Sequence, residues 1–302
     1  MAEPSATSIH NTQSDPLLAA FVAHFEARFG AHLQAVLAYG SYLRGTRDTL
    51  LDFYLLLDSY AALPSIAGAA NRVLPPNVYH ITLDVGEARQ AAKYATVTLD
   101  HFARCIREDV DCYFWARFAQ PFVILYARDQ AVHARVTGLG RDAARRLLMS
   151  SIATLAETFD SETLWRHAFT LSYGAELRAE NPAAAARLYA FYGDELDAHL
   201  EALAGELGLA ASGPRQWRQQ VSALAAQRSE HAWRRRRRLG KWLSIARLLK
   251  AAFTFNDPLD YLVWKVARHS GVVEAPTALQ RRHPLLFGWG VLWRLYRRGG
   301  FR

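Results

Sequence analysis

Val36-Leu37-Ala38-Tyr39-Gly40-Ser41-Tyr42-Leu43-Arg44-Gly45, followed by Leu50-Leu51-Asp52-Phe53-Tyr54-Leu55-Leu56-Leu57-Asp58, decides how this chain is read. An apolar run ends in Gly-Ser, ten residues intervene, and a second apolar run carries Asp52 near its start. The pattern predicts strand, tight turn, strand. Gly40 lets backbone approach a ligand closely, and Ser41 offers a hydroxyl and an amide suited to phosphate oxygens. Asp52 lies in a segment too apolar for an unpaired carboxylate, so it needs a partner, and Mg²⁺ is a fitting one. The plain reading of the same stretch is a hairpin with an Asp at its edge.

Composition bounds the rest. At 302 residues, 51% of them hydrophobic and 12% aromatic, the chain has material for a real core and two or more domains. No apolar run approaches the ~20 residues that cross a bilayer. Met1 to Asp15 is polar and lacks a signal or transit pattern, and Cys105 and Cys112 are too few for a disulfide framework or zinc site. The net charge of +8 is uneven: from His231 onward sixteen Lys or Arg face only Asp257, Asp260 and Glu274, leaving the first 230 residues acidic. Five of eight tryptophans share that basic tail. Basic residues interleaved with Trp suit a membrane interface or a nucleic acid. Lysine is rare, and Lys93 is the sole one before Lys241. A compact ammonium there reads as a phosphate contact or as an ordinary surface lysine.

Along the chain, residues 1–14 read as disordered. Asp15-Pro16 opens a helix that Gly30 stops. Strands are predicted over 33–39 and 50–57, a short helix over 66–74, and an alternating strand over 77–84. Helices are expected at 98–107 and 110–119, and a strand at 121–126. Beyond Gln130 every long segment reads as helix, over 140–158, 161–180, 183–206, 214–228 and 232–253. The expected fold class is α+β: a small mixed sheet with helices (15–130), then a helical domain (131–230), then a basic amphipathic region (231–302).

Gly-Ser, this spacing and a strand Asp resemble the signature of the polymerase β-like nucleotidyltransferases. Several further pieces resemble one branch, the mitochondrial-type phosphatidate cytidylyltransferases (the translocator assembly and maintenance family). Tyr39-Gly40-Ser41 matches that family's Tyr-Gly-Ser loop, and Leu51-Asp52-Phe53-Tyr54 its Ile-Asp strand. Val78-Tyr79, Lys93-Tyr94, the Tyr113, Arg117, Pro121 segment and Leu171-Ser172-Tyr173 with Glu176 and Arg178 follow in order. Ala95, Ala175 and Glu176 stand where the family has Gly, Gly and Asp. Tyr54 occupies the place of the superfamily's usual second acid, an acid that this branch also lacks.

The resemblance implies transfer of CMP from CTP to phosphatidic acid, with Mg²⁺ and release of pyrophosphate. It implies that Gly40, Ser41, Arg44, Lys93 and Arg117 hold the nucleotide and that Ser41, Asp52 and Lys93 are catalytic. Asp52 is the expected metal ligand, with Asp84 as a further acid from a neighbouring strand. Arg117, Glu176 and Arg178 line the nucleotide or lipid-phosphate side, or form structural ion pairs. In the tail, Arg234, Arg235, Arg236, Arg237 and Arg238 with Trp242, Trp289 and Trp293 are the expected lipid or membrane contacts, which favours an anionic membrane surface over nucleic acid as partner; the plain alternative is a tail whose aromatic stripes pack on the domain while its arginines are solvated. The expected location is peripheral, on the cytoplasmic face of a bacterial inner membrane. Two other functions fit the residues: nucleotidyl transfer to a soluble or RNA acceptor, and a binding protein of this fold without chemistry.

Overall fold

The computed structural model describes residues 15–46, 49–86, 88–176, 182–254, 275–282 and 289–298; residues 1–14 and Arg178 lie outside them. The first helix, α1 (Pro16–Phe29), begins where its cap dictates: Asp15 accepts a hydrogen bond from Leu17 N at 2.9 Å and Pro16 stands in the first turn. Gly30, at φ 50°, ends it. Leu18, Phe21, Phe25 and Phe29 recur every three or four residues and are all buried against the sheet.

That sheet has five strands: β1 (Leu33–Tyr39), β2 (Leu51–Leu57), β3 (Asn77–Val85), β4 (Ala88–Thr98) and β5 (Val123–Ala127), ordered β3-β4-β2-β1-β5. Only the β2–β4 pairing is parallel. It follows a crossover through α2 (Ser65–Val73) and the β3–β4 hairpin. Strand β4 has no counterpart in the sequence reading. Its Ala88, Ala91, Ala92 and Ala95 carry little strand propensity, and its hydrogen bonding to neighbours on both sides overrides that deficit.

Side chains alternate across the sheet, so each strand feeds two cores. Phe53, Leu55 and Leu57 of β2 and Tyr94 of β4 meet α1. Tyr54 and Leu56, with Ala95 and Val97, face the other way. There they meet α3 (Leu99–Arg107), α4 (Trp115–Phe118) and α5 (Gln130–Ile152), in a core that continues through α6 (Ser161–Tyr173) and α7 (Pro182–Leu203). Asp52 and Lys93 share the parity of this second face.

The helical region departs from the sequence reading in three places: the helix expected over 140–158 spans Gln130–Ile152, those expected over 214–228 and 232–253 share one helix over Ala223–Thr254, and a small sheet intervenes. Residues 214–228, expected as helix, begin as part of a three-stranded sheet of β6 (Thr158–Asp160), β7 (Ala210–Gly213) and β8 (Gln216–Arg218), ordered β6-β8-β7. Gly213-Pro214 starts a turn, Arg215 adopts φ 54°, and Trp217 Nε1 donates to Ser161 Oγ at 2.9 Å. Helix resumes as α8 (Ala223–Thr254), and among the described residues two short helices follow, α9 (Ala278–Arg282) and α10 (Trp289–Arg297). No helix among the described residues is long and apolar enough to cross a membrane.

Helix α8 is seated on the domain by its inward stripe. Trp233 is fully buried and donates Nε1 to Ser150 O at 2.8 Å. Gly240 lies against Ala175, where a Cβ would overlap the carbonyl oxygen. Further along, Arg247 donates to Pro75 O at 3.1 Å, and Lys250 donates to the carbonyls of Leu74 and Pro76.

Two outcomes test this seating. Gly240→Ala is expected to cost about 1–3 kcal/mol in urea denaturation, because backbone has to shift to admit the methyl group; an unchanged midpoint would mean the helix does not sit there. Burial, aided by Arg247, pushes the Lys250 amine down from 10.5 to about 7. The unfolded chain therefore keeps a proton that the folded chain has lost, so stability rises with pH between those values and levels off below about 7. Against Lys250→Met, the wild type is expected to gain up to about 1.4 kcal/mol per pH unit across that window. Parallel stability curves for the two proteins would contradict it.

Candidate functional site

Register brings the predicted residues into one row. Tyr39 of β1 pairs with Asp52 of β2, Asp52 with Lys93 of β4, and Lys93 with His80 of β3. The row crosses four strands, and its side chains share a face. Lys93 Nζ lies 2.9 Å from Asp52 Oδ1, with the carboxylate 15% exposed and the lysine 38% exposed. Asp52 thus has the partner that its apolar strand demands. Lys93 is close enough to the surface for an incoming anion to meet it.

The turn after β1 is built against that carboxylate. Gly40 has φ 96°, and an added Cβ would stand 2.7 Å from Asp52 Oδ2. Both its conformation and its neighbour exclude a side chain. Ser41 C=O accepts from Arg44 N at 3.1 Å and Thr46 N at 3.2 Å, and Ser41 Oγ hydrogen-bonds Thr49 Oγ1 at 3.0 Å. The serine loop is therefore a closed turn at the edge of the Asp52 carboxylate.

A cationic and aromatic cluster flanks the row. Tyr39 and Tyr54 rings lie 5.4 Å apart. Burial, with Asp52 nearby, pushes the Tyr39 hydroxyl up to about 12. Arg117 donates to Tyr113 Oη at 3.1 Å and Tyr54 Oη at 3.4 Å, and pairs with Glu176 at 3.3 Å. Its guanidinium is 4.3 Å from the Tyr113 ring centroid and 5.9 Å from that of Tyr39. Burial raises the Tyr113 hydroxyl, but Arg117, the Tyr54 hydrogen bond and Arg247 together bring it below its ordinary value.

Arg247 is the residue that sequence reasoning missed. It arrives from α8, pairs with Asp111 at 2.6 Å, and stacks 4.1 Å from the same Tyr113 ring. Tyr113 thus lies between two guanidinium groups, each a favourable cation–π contact when desolvated. Burial raises the Asp111 carboxyl even against the pull of Arg247. No local signal marks Arg247, because its partner stands 136 residues earlier.

Other expected residues lie elsewhere. Asp84 is exposed and pairs in register with Arg89, four residues beyond His80 and so roughly 13 Å along the strand from the row. Arg44 neighbours Tyr192 of α7. Of the arginine run, Arg234, Arg235 and Arg238 are exposed. Arg236 stacks on Trp115 and Trp233, and Arg237 lies against Gly174. Trp242 is 72% and Trp293 61% exposed, whereas the side chain of Trp289 lies outside the described residues.

The acids present do not make a metal cage. No group of three His, Cys, Asp or Glu that could hold an ion occurs among the described residues. Glu176 is given to Arg117 and Asp111 to Arg247. Among the described acids, Asp52 is the one that lies against the turn. One carboxylate is enough for a Mg²⁺ ion that arrives on a nucleotide, since such ions take most ligands from phosphate and water.

No protein-family model matches the chain, and no curated protein matches it. Among solved structures, a nucleotidyltransferase-like protein from Exiguobacterium sibiricum 255-15 aligns with 93% of this chain and 91% of its own, at 11% identity and a TM-score of 0.27. A TM-score that low carries no argument about fold or activity.

The Arg247–Asp111 pair makes a direct prediction. Arg247→Gln leaves a buried carboxylate alone and is expected to cost about 3–5 kcal/mol in urea denaturation. Asp111→Asn with Arg247→Gln is expected to recover much of that loss. A single variant as stable as the wild type would show that the pair is not formed.

Proposed function

We propose that the Tyr39–Asp52–Lys93 row and the Gly40-Ser41 turn bind a nucleoside triphosphate and transfer its nucleotidyl group to a phosphate-bearing acceptor. The donor and acceptor that the motif resemblance implies are CTP and phosphatidic acid. The observation that carries the reading is the Asp52–Lys93 ion pair held against a glycine with φ 96°. Such a glycine leaves open backbone beside a carboxylate and an ammonium, which suits a triphosphate with its metal ion.

The reaction asks little covalent chemistry of the protein. An oxygen of the acceptor phosphate attacks the α-phosphorus, the bond to the β-phosphate oxygen breaks, and pyrophosphate leaves with that electron pair. The attacking oxygen is already anionic, so no general base is required. What remains is holding two anions in line and neutralising charge on the phosphoryl oxygens. Lys93 supplies a point charge for that purpose, and the Ser41 turn supplies amide donors. Mg²⁺, carried in on the triphosphate and held by Asp52, would offset further charge. Arg117, with Tyr113 and Tyr54 fixing it, presents a cation beside the row.

A second reading has its own observation. Tyr54 stands fully buried in the second-acid position, and Lys93 already forms an ion pair with Asp52. Those features suit a protein that binds nucleotide or phosphate without transferring it.

Incorporation of label from α-³²P-CTP into lipid, with phosphatidate and Mg²⁺, separates the two. Wild type is expected to make labelled lipid, with CTP preferred over the other three nucleotides. Asp52→Asn and Lys93→Met are each expected to lower the rate at least about a hundredfold, the scale of losing one preorganised charge. No labelled lipid from wild type with any nucleotide would sink lipid transfer, and label passing instead into added RNA would replace the acceptor.

A further inference from the structure

The five consecutive arginines of α8 are divided by the fold into two groups with different tasks. The inward stripe runs through Ser229, Trp233, Arg236, Gly240, Arg247 and Lys250, at spacings of three, four and seven. These residues hydrogen-bond, stack or pack on the domain. Their polar groups are engaged by carbonyls, by Asp111 and by aromatic rings.

The other stripe faces out. His231, Arg234, Arg235, Arg238, Leu239 and Trp242 line one shallow open depression. They fall at helical spacing over about 16 Å of helix. Arg234, Arg235 and Arg238 are exposed, and no acid pairs with them among the described residues. Trp242 is 72% exposed, and Ile245, one turn further on, is 38% exposed. A long helix that buries one tryptophan and leaves another in water beside three unpaired arginines is not explained by its own packing.

We infer that this outward stripe is the docking surface for an anionic lipid bilayer, on which α8 lies parallel to the membrane plane. Charge complementarity identifies the partner as a polyanion. The apolar groups choose between polyanions: Leu239, Trp242 and Ile245 lie in line with the arginines, so they can sink below the headgroups while the guanidinium groups meet lipid phosphates. A nucleic acid backbone offers the arginines the same charge but gives aliphatic side chains nothing to bury in. Arg236 and Arg237, expected in the lipid-contact set, belong to the domain side and are excluded from the surface. The inference stands on the helix alone and does not require the transferase reading.

Flotation of the full-length protein with vesicles tests it. Wild type is expected to float with phosphatidylcholine vesicles containing phosphatidylglycerol or phosphatidic acid, to stay down with phosphatidylcholine alone, and to be released by high salt. The triple variant R234Q/R235Q/R238Q is expected to lose about a hundredfold in affinity, each base near an anionic surface being worth roughly fivefold. Trp242→Ala is expected to weaken binding in a way that salt does not mimic. R135Q/R141Q/R166Q, which removes three exposed charges elsewhere, is expected to bind as wild type does. Undiminished flotation of R234Q/R235Q/R238Q, equal loss in the control triple, or tighter binding to single-stranded RNA than to either anionic vesicle would each overturn it. Arginine-dependent flotation without label transfer would leave this surface standing and remove the transferase reading alone.

Discussion

A carboxylate at the start of a buried strand face has to be neutralised, and in this chain Lys93 does it at 2.9 Å. Much of the local architecture follows from that pair. Strand β4 has to run parallel to β2 in a register that sets residue 93 beside residue 52. A parallel neighbour needs a crossover, which α2 and the β3–β4 hairpin provide. The turn leaving β1 then has to pass the carboxylate so closely that only glycine fits. The result is an acid, an ammonium and a glycine turn gathered on one face of the sheet, on its central strand and that strand's two neighbours.

The second constraint comes from far along the chain. Arg247 and Arg117 bracket Tyr113, and each is tied to its own acid, Asp111 or Glu176. Buried ion pairs of this kind add little net stability, but breaking one is costly, so they fix geometry more than they strengthen the fold. One helix therefore reaches the aromatic cluster with its inner face and presents arginine and tryptophan to the outside. If lipid is the acceptor, that joins the surface where such a substrate would reside to the residues beside the Asp52–Lys93 row.

What could be read from the sequence divides along physical lines. The Asp15-Pro16 cap, the Gly30 stop, strands β1 and β2 and the α+β class were legible because their signals are local and periodic. Gly40 and Asp52 were legible as a pair because the turn between them is short. Strand β4 was not, since its alanines suit a helix and only its two neighbours make it a strand. Lys93 stood out by rarity, yet its partner became evident only through the parallel register. The hairpin at 210–218 was hidden behind a helical expectation that Pro214 and the left-handed Arg215 overrule. Arg247 carried no signal at all, and the arginine run showed its charge without showing which members face the domain.

Lysine scarcity gives the central claim a clean readout. With only Lys93, Lys241, Lys250 and Lys265 present, reductively ¹³C-methylated protein yields a spectrum of four side chains plus the amino terminus, assignable by single substitutions. If the Asp52–Lys93 pair is where a nucleotide's phosphates are held, adding Mg²⁺ and a non-hydrolysable CTP analogue should shift the Lys93 resonance, saturably, and leave Lys241 in place. A Lys93 signal that stays put at saturating nucleotide would contradict the account.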